Sequence, residues 1–270
     1  MSNNAPSRLH ILIIGNSFSV DTMRYVADIA REMGISDVKI GNLYVGGCSL
    51  RMHLERATQE MPVYTYYKNV GEGWTDTPET TISTAIADSD WDYIGIWPGT
   101  KDGSRHSEPA SYEPLPALIK YIRERALNPA LKLMFNMTWM GEPEKNHPEL
   151  ASFGNDQLKL HAKIAEMMQT VIIPTGEFCC VAPMGTAIQN ARTSTLGPIT
   201  RDYYHLTKDV GRYIAGLTFF GALTGLDITE IKWAPEGVDE KQFAIAIESA
   251  ANAIKTPFEV TPSRLRENAH

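Results

Sequence analysis

The stretch that most constrains the fold of this chain is Leu9–Val20 (LHILIIGNSFSV), where an apolar run stops abruptly at Gly15-Asn16-Ser17 and a helical pattern begins. Ile11–Gly15 is too short and too β-branched for a helix and lacks the alternation of a half-exposed strand, so it predicts a fully buried parallel strand. From Ser19 onward Val20, Met23, Val26, Ala27, Ala30 and Met33 recur at helical spacing, with Ser19 or Asp21 placed to cap the helix. Ser17 stands at the junction, near helix N–H groups that stabilise developing negative charge. A serine there is either a nucleophile or a plain turn residue.

The same grammar returns at Val38–Val45, which ends in Gly46-Gly47-Cys48-Ser49 and leads into a helical stretch reaching about Met61. Two such βα turns should lie side by side at the C-terminal edge of a parallel sheet. Paired glycines bring backbone N–H groups close to a ligand, as an oxyanion hole needs, or simply tighten the turn. Residues 61–78, broken by Gly71-Glu72-Gly73, predict a hairpin excursion above that edge. Parallel strands are expected near 10–14, 40–45, 92–97, 131–136 and 170–173. Helices are expected at Thr81–Ala87, Leu115–Ala126, Asp156–Thr170, Val181–Arg192, Thr207–Leu223 and Glu240–Ile254.

The chain has 270 residues, 43% of them apolar, enough for one α/β core; a single domain over 5–258 with a frayed tail over 259–270 is expected. A net charge of −7 without a basic cluster argues against a nucleic-acid partner, and no apolar run is long enough to span a membrane. The polar start MSNNAPSR carries no leader, which predicts a cytoplasmic protein, or a periplasmic or secreted one if a leader was removed. Three cysteines make neither a disulfide framework nor metal-ligand spacing, and glycine-rich nucleotide loops are missing, so no metal or cofactor is expected. The oligomeric state is not written in the sequence.

Asp202-x-x-His205 is the second informative feature. Residues three apart point to one side, so the aspartate can hold one imidazole nitrogen while the other faces a serine. With these residues in view, Gly15-Asn16-Ser17-Phe18-Ser19 resembles the first block of the SGNH, or GDSL-like, hydrolases, with Asn16 where Asp is commoner, and Asp202-x-x-His205 resembles their last block. Gly46-Gly47-Cys48-Ser49 resembles the second block, with Gly47 at the glycine whose N–H serves the oxyanion hole. GNLYVGGCSL, WDYIG, FNMTWM, GTAIQNARTS and RDYYHLTKDVGRYIAGLTFFGALTG are more closely similar to an uncharacterised SGNH-like family common in Bacteroides-type genomes. The resemblance runs from about Leu9 to Thr261 and implies a three-layer α/β/α sandwich on a flavodoxin-like, five-stranded parallel sheet. It also implies metal-free, serine-dependent ester hydrolysis by Ser17, Asp202 and His205.

The departure lies in the third block, Trp97-Pro98-Gly99-Thr100, where SGNH enzymes carry a Gly-x-Asn whose amide completes the oxyanion hole. Pro98 has no donor, so the third hydrogen bond comes from Thr100, from Asn136, or is absent, a loss that typically costs about 10²–10³ in rate. Trp97, Trp139 and Tyr203 are either core aromatics or platforms for a sugar ring, with Arg192, Gln189, Asn16 and Asn136 as further candidates for substrate contact. The resemblance favours an acetylated carbohydrate as substrate. The competing expectation is a degenerate relative that binds glycans or a partner without turnover.

Overall fold

The computed structural model describes residues 5–71, 73–99, 106–142 and 148–266. Thr100, with the rest of the polar loop that follows Gly99 up to residue 105, lies outside them, as does the end of the tail. The strands are β1 (Arg8–Gly15), β2 (Asp37–Tyr44), β3 (Tyr64–Asn69), β4 (Trp74–Thr80), β5 (Tyr93–Ile96), β6 (Lys132–Asn136) and β7 (Phe178–Ala182). They form one sheet of seven in the order β4-β3-β2-β1-β5-β6-β7. β2, β1, β5, β6 and β7 run parallel, while β3 and β4 add antiparallel to the β2 edge.

The helices are α1 (Ser17–Met23), α2 (Val26–Glu32), α3 (Leu50–Thr58), α4 (Ile82–Ala87), α5 (Leu115–Arg125), α6 (Pro148–Ala151), α7 (Gln157–Met167), α8 (Met184–Arg192), α9 (Val210–Thr224) and α10 (Glu240–Lys255). In β1, Leu9, Ile11 and Ile13 pack with α1, α2, α8, α9 and α10, while Leu12 and Ile14 pack with α3, α4, α5 and α7. A strand covered on both faces has no polar side to show, which is why its sequence reads as a continuous apolar run. Each parallel strand ends at the same rim, and the turns that follow carry the site.

Four local expectations are corrected. The fifth parallel strand is Phe178–Ala182, whereas Met168–Ile172 continues α7 as a π-helical turn and Ile173–Thr175 as a 3₁₀ turn, ended by Gly176 at φ 67°. In the Val171-Ile172-Ile173 run only Ile172 is buried and Ile173 is 49% exposed, the one-sided burial of a helix rather than the two-sided burial of a central strand. That strand occupies the first two residues of the helix expected from Val181, which starts instead at Met184 after Pro183. The first helical region divides at Arg24-Tyr25, and its cap is Asn16 rather than Ser19 or Asp21, since the Asn16 side chain accepts the Phe18 N–H. The hairpin forms as expected but widens the sheet laterally instead of rising over its rim.

Candidate active site

β1 delivers Asn16 and Ser17 to the rim. Asn16 Oδ1 accepts from Phe18 N at 3.0 Å, and Nδ2 donates to the Pro98 carbonyl at 3.1 Å and to that of Cys48 at 3.4 Å. Fully buried, Asn16 fastens three βα turns to one another, so it is not a substrate contact. Ser17, half-buried, is the first residue of α1, where a backbone N–H has no partner within the helix.

The base arrives from the segment between α8 and α9. Arg201 N donates to His205 O at 2.8 Å and Thr207 N to Ile199 O at 2.9 Å, closing a tight loop. Inside it Asp202 Oδ1 accepts the N–H groups of Tyr204 at 2.8 Å and His205 at 2.7 Å, while Oδ2 lies 2.8 Å from His205 Nδ1. With Nδ1–H given to that carboxylate, Nε2 is the acceptor, and it stands 2.8 Å from Ser17 Oγ. Burial pushes the Asp202 carboxyl up, but the hydrogen bonds from His205 and Tyr204 outweigh it and hold the group below the usual carboxylate range. Ser17, His205 and Asp202 thus form a connected relay of the kind that activates a hydroxyl.

Asp21, read from sequence as a helix cap, has a larger part. It lies on α1 one turn beyond Ser17 and is fully buried. Its carboxylate receives Arg201 Nη1 at 3.0 and 3.2 Å, Arg212 Nε at 2.8 Å and the Leu206 N–H at 2.9 Å. One side chain on the nucleophile's helix therefore holds both ends of the loop that carries the base. The sequence signal was a carboxylate on the serine's own helical face and two arginines flanking Asp202-x-x-His205, but nothing local pairs them.

The aromatic candidates separate. Trp97 is fully buried and Trp139 2% exposed, so neither can offer a ring face to a sugar. Instead Trp139 stacks on Phe18 at 4.2 Å and 6°, meets Trp97 edge-on at 6.0 Å, and donates Nε1–H to the Tyr204 carbonyl at 2.8 Å. Phe18 in turn meets the His205 ring edge-on at 6.1 Å. These rings form a pillar under the serine and its base. Gln189 is 2% exposed, and Arg192 Nη2 donates to the Met140 carbonyl at 3.0 Å and lies 3.4 Å from Glu142 Oε1; both line a cavity with Glu142, Gln157 and Gly197. Tyr203, half-buried, lies over Gly141 beside the Asp202 loop.

Gly47, at φ 62°, turns the chain between β2 and α3 in a conformation that favours glycine. Gly99 meets this turn from the other side: a β-carbon there would run into the backbone of Cys48 and Ser49. Asn136 is buried with its amide donated to the Ile96 carbonyl at 3.1 Å, which takes it away from the oxyanion role considered for it. Among the described residues no group of three His, Cys, Asp or Glu side chains is placed to hold a metal ion, and no helix is long and apolar enough to cross a membrane.

This α/β fold, with a mixed sheet of seven strands between helical layers, is similar to SGNH hydrolase structures. The family described as "Domain of unknown function (DUF4886)" matches residues 10–253, and the chain belongs to it. A DUF4886 family protein from Bacteroides uniformis superposes with a TM-score of 0.89 at 36% identity, covering 96% of this chain and 100% of that one. A mutant of an acetyl-xylooligosaccharide esterase from Geobacillus superposes with a TM-score of 0.52 at 15% identity, covering 83% and 98% of the two chains, a likeness of fold. No curated protein matches the chain.

Proposed function

We propose that the protein is a serine-dependent esterase that removes acyl groups, acetyl foremost, from a carbohydrate through an acyl-enzyme. The observation that carries this reading is the unbroken line Ser17 Oγ to His205 Nε2 and His205 Nδ1 to Asp202 Oδ2, each 2.8 Å, at the C-terminal rim of the sheet. His205 Nε2 takes the Ser17 proton as Oγ bonds to the acyl carbon. The carbonyl electron pair moves onto oxygen, beside the N–H groups of Ser17 and Gly47. When the tetrahedral intermediate collapses, the C–O bond to the alcohol breaks and the alkoxide leaves with the proton held on His205. A water deprotonated by the same nitrogen then attacks the acyl-serine, and the acid departs as Ser17 recovers its hydrogen. Asp202 keeps the ring in one tautomer and stabilises the imidazolium. The choice of a sugar acetate draws support from the esterase named among the structures of similar fold.

The test is covalent labelling by a fluorophosphonate together with hydrolysis of 2,2,2-trifluoroethyl acetate. Both are expected in the wild type and lost in Ser17→Ala. An unlabelled wild type without turnover would reject the esterase, and retained glycan binding in that case would favour the non-catalytic alternative, for which the donorless Pro98 speaks.

A further inference from the structure

Between α1 and the β3–β4 hairpin lies a cavity of about 180 Å³ lined by Val20, Met23, Arg24, Asn42, Tyr67 and Trp74. We infer that this trough seats a sugar ring of the substrate, with Tyr67 and Trp74 as its stacking walls and Tyr44 at its mouth. The inference rests on reading Ser17 as the esterase nucleophile and adds where the alcohol part of the ester lies.

The trough lies along the helix that opens with the nucleophile. Ser17 and Val20 stand three residues apart on α1 and Arg24 is its C-terminal cap, so the helix that starts at the reacting hydroxyl ends in the trough wall. On the sheet, Asn42 pairs with Tyr67, and Tyr44 projects from the same face two residues further on. The Tyr44 and Tyr67 rings stand 6.1 Å apart, and the Tyr44 hydroxyl borders Gly46 in the turn that carries Gly47. An aromatic line therefore leads from the candidate oxyanion loop down to Trp74.

The chemistry of the walls selects the occupant. Tyr44, Tyr67 and Trp74 are all half-buried, and the indole is fixed by Nε1–H donated to the Arg24 carbonyl at 3.3 Å. A plain acyl chain calls for uniformly aliphatic walls. Here Val20 and Met23 are joined by two aromatic faces, Tyr67 and Trp74, with the exposed Arg24 side chain at the edge, while Asn42 is buried with its Oδ1 accepting from Ser19 Oγ at 2.8 Å. A pyranose matches that pattern, with C–H bonds for the rings and hydroxyls for the edge. With Trp97 and Trp139 buried under the serine, half-buried rings on the hairpin and on β2 remain for stacking.

The experiment compares acetylated xylo-oligosaccharide, 2,2,2-trifluoroethyl acetate and 2,2,2-trifluoroethyl hexanoate as substrates for the wild type, Trp74→Ala and Trp74→Phe. Trp74→Ala is expected to raise KM about tenfold on the sugar ester with kcat held, and to leave kcat/KM on trifluoroethyl acetate within about twofold. Trp74→Phe should keep most of the sugar affinity, because a ring remains. An unchanged KM on the sugar ester, an equal loss on all three substrates, or a loss confined to the hexanoate would overturn the inference, the last marking an acyl groove. If no ester is turned over in a Ser17-dependent way, the esterase reading fails by itself, and the trough is judged by titrating xylotriose into the wild type and Trp74→Ala. Binding weakened about tenfold by the substitution would sustain the sugar seat, whereas absent or unaltered binding would reject it.

Discussion

Asp21 joins two segments far apart in the chain, 180 residues from Arg201 and 191 from Arg212. Asp21→Asn keeps the shape but leaves two guanidinium groups facing a neutral amide, so it should lower stability by about 3 kcal/mol, read from urea midpoints. In protein still folded at low temperature kcat should fall with KM nearly unchanged, because the Ser17–His205 distance loosens while the substrate surface does not. A wild-type kcat in folded Asp21→Asn would confine Asp21 to stability. His205→Ala should remove about 10²–10⁴ of the rate with a small effect on stability, since its side chain is 31% exposed. Asp202→Asn should be milder, the asparagine still orienting the ring but stabilising the imidazolium less. Ser17 and the Asp202–His205 pair were legible because each is announced locally, by a strand–turn–helix junction and by a three-residue spacing. Asp21 was not, since its partners are remote. Trp97 and Trp139 were ambiguous for another reason: a strand-end aromatic looks the same whether it faces inward or outward.

Among the elements, the three βα turns act as one unit, with Asn16 as the knot and Gly99 as the point of closest approach. Gly99→Ala cannot be absorbed by a side-chain rotation, because its β-carbon meets backbone, and it should displace the Gly46–Ser49 turn. Steady-state kinetics at a temperature where the variant is folded should show kcat down about tenfold or more, in line with loss of part of an oxyanion hole, together with a lower melting temperature from the displaced backbone. Equal kinetics in Gly99→Ala would separate that turn from catalysis. Among the four inner parallel strands β1 was the most legible because two-sided burial writes itself as an apolar run, while β2, with Lys39 and Asn42 inside it, was marked by the Leu43-Tyr44-Val45 run at its end and the glycines that follow. β7 was not legible: as an edge strand, Phe178–Ala182 is only partly covered, and its two cysteines carry a weak β signal beside the louder Val171-Ile172-Ile173.

For the molecule as a whole, two buried histidines, His53 beside Cys48 and His161 beside Thr186, should set acid stability. Burial, reinforced by the nearby Arg56 charge, pushes His53 down to about 3, and burial pushes His161 down to about 4. In the unfolded chain both return to the ordinary value near 6.5, so between that pH and their folded values the unfolded form binds more protons and stability falls as pH drops. The two together should cost about 3 kcal/mol between pH 6.5 and pH 5, a window above ordinary carboxylate titration. Urea midpoints across that range check it, and His161→Gln, which can still meet Thr186, should remove about half of the slope. An unchanged slope would place the proton uptake elsewhere. The hairpin bears on the whole molecule in a different way, through its outer margin. β4 is one edge of the sheet, and there Asp76, Pro78 and Glu79 stand exposed. Tyr64 pairs with Thr80 but Tyr66 with Thr77, so an extra residue bulges from β4, and Glu79 sits at φ 53°. Charge, a missing N–H and a kink make a poor template for another chain's strand, so this border is closed to intermolecular β-pairing. Cutting the hairpin away would present the regular, largely buried ladder of β2 in its place, and the shortened protein should aggregate by recruiting copies of itself along that border.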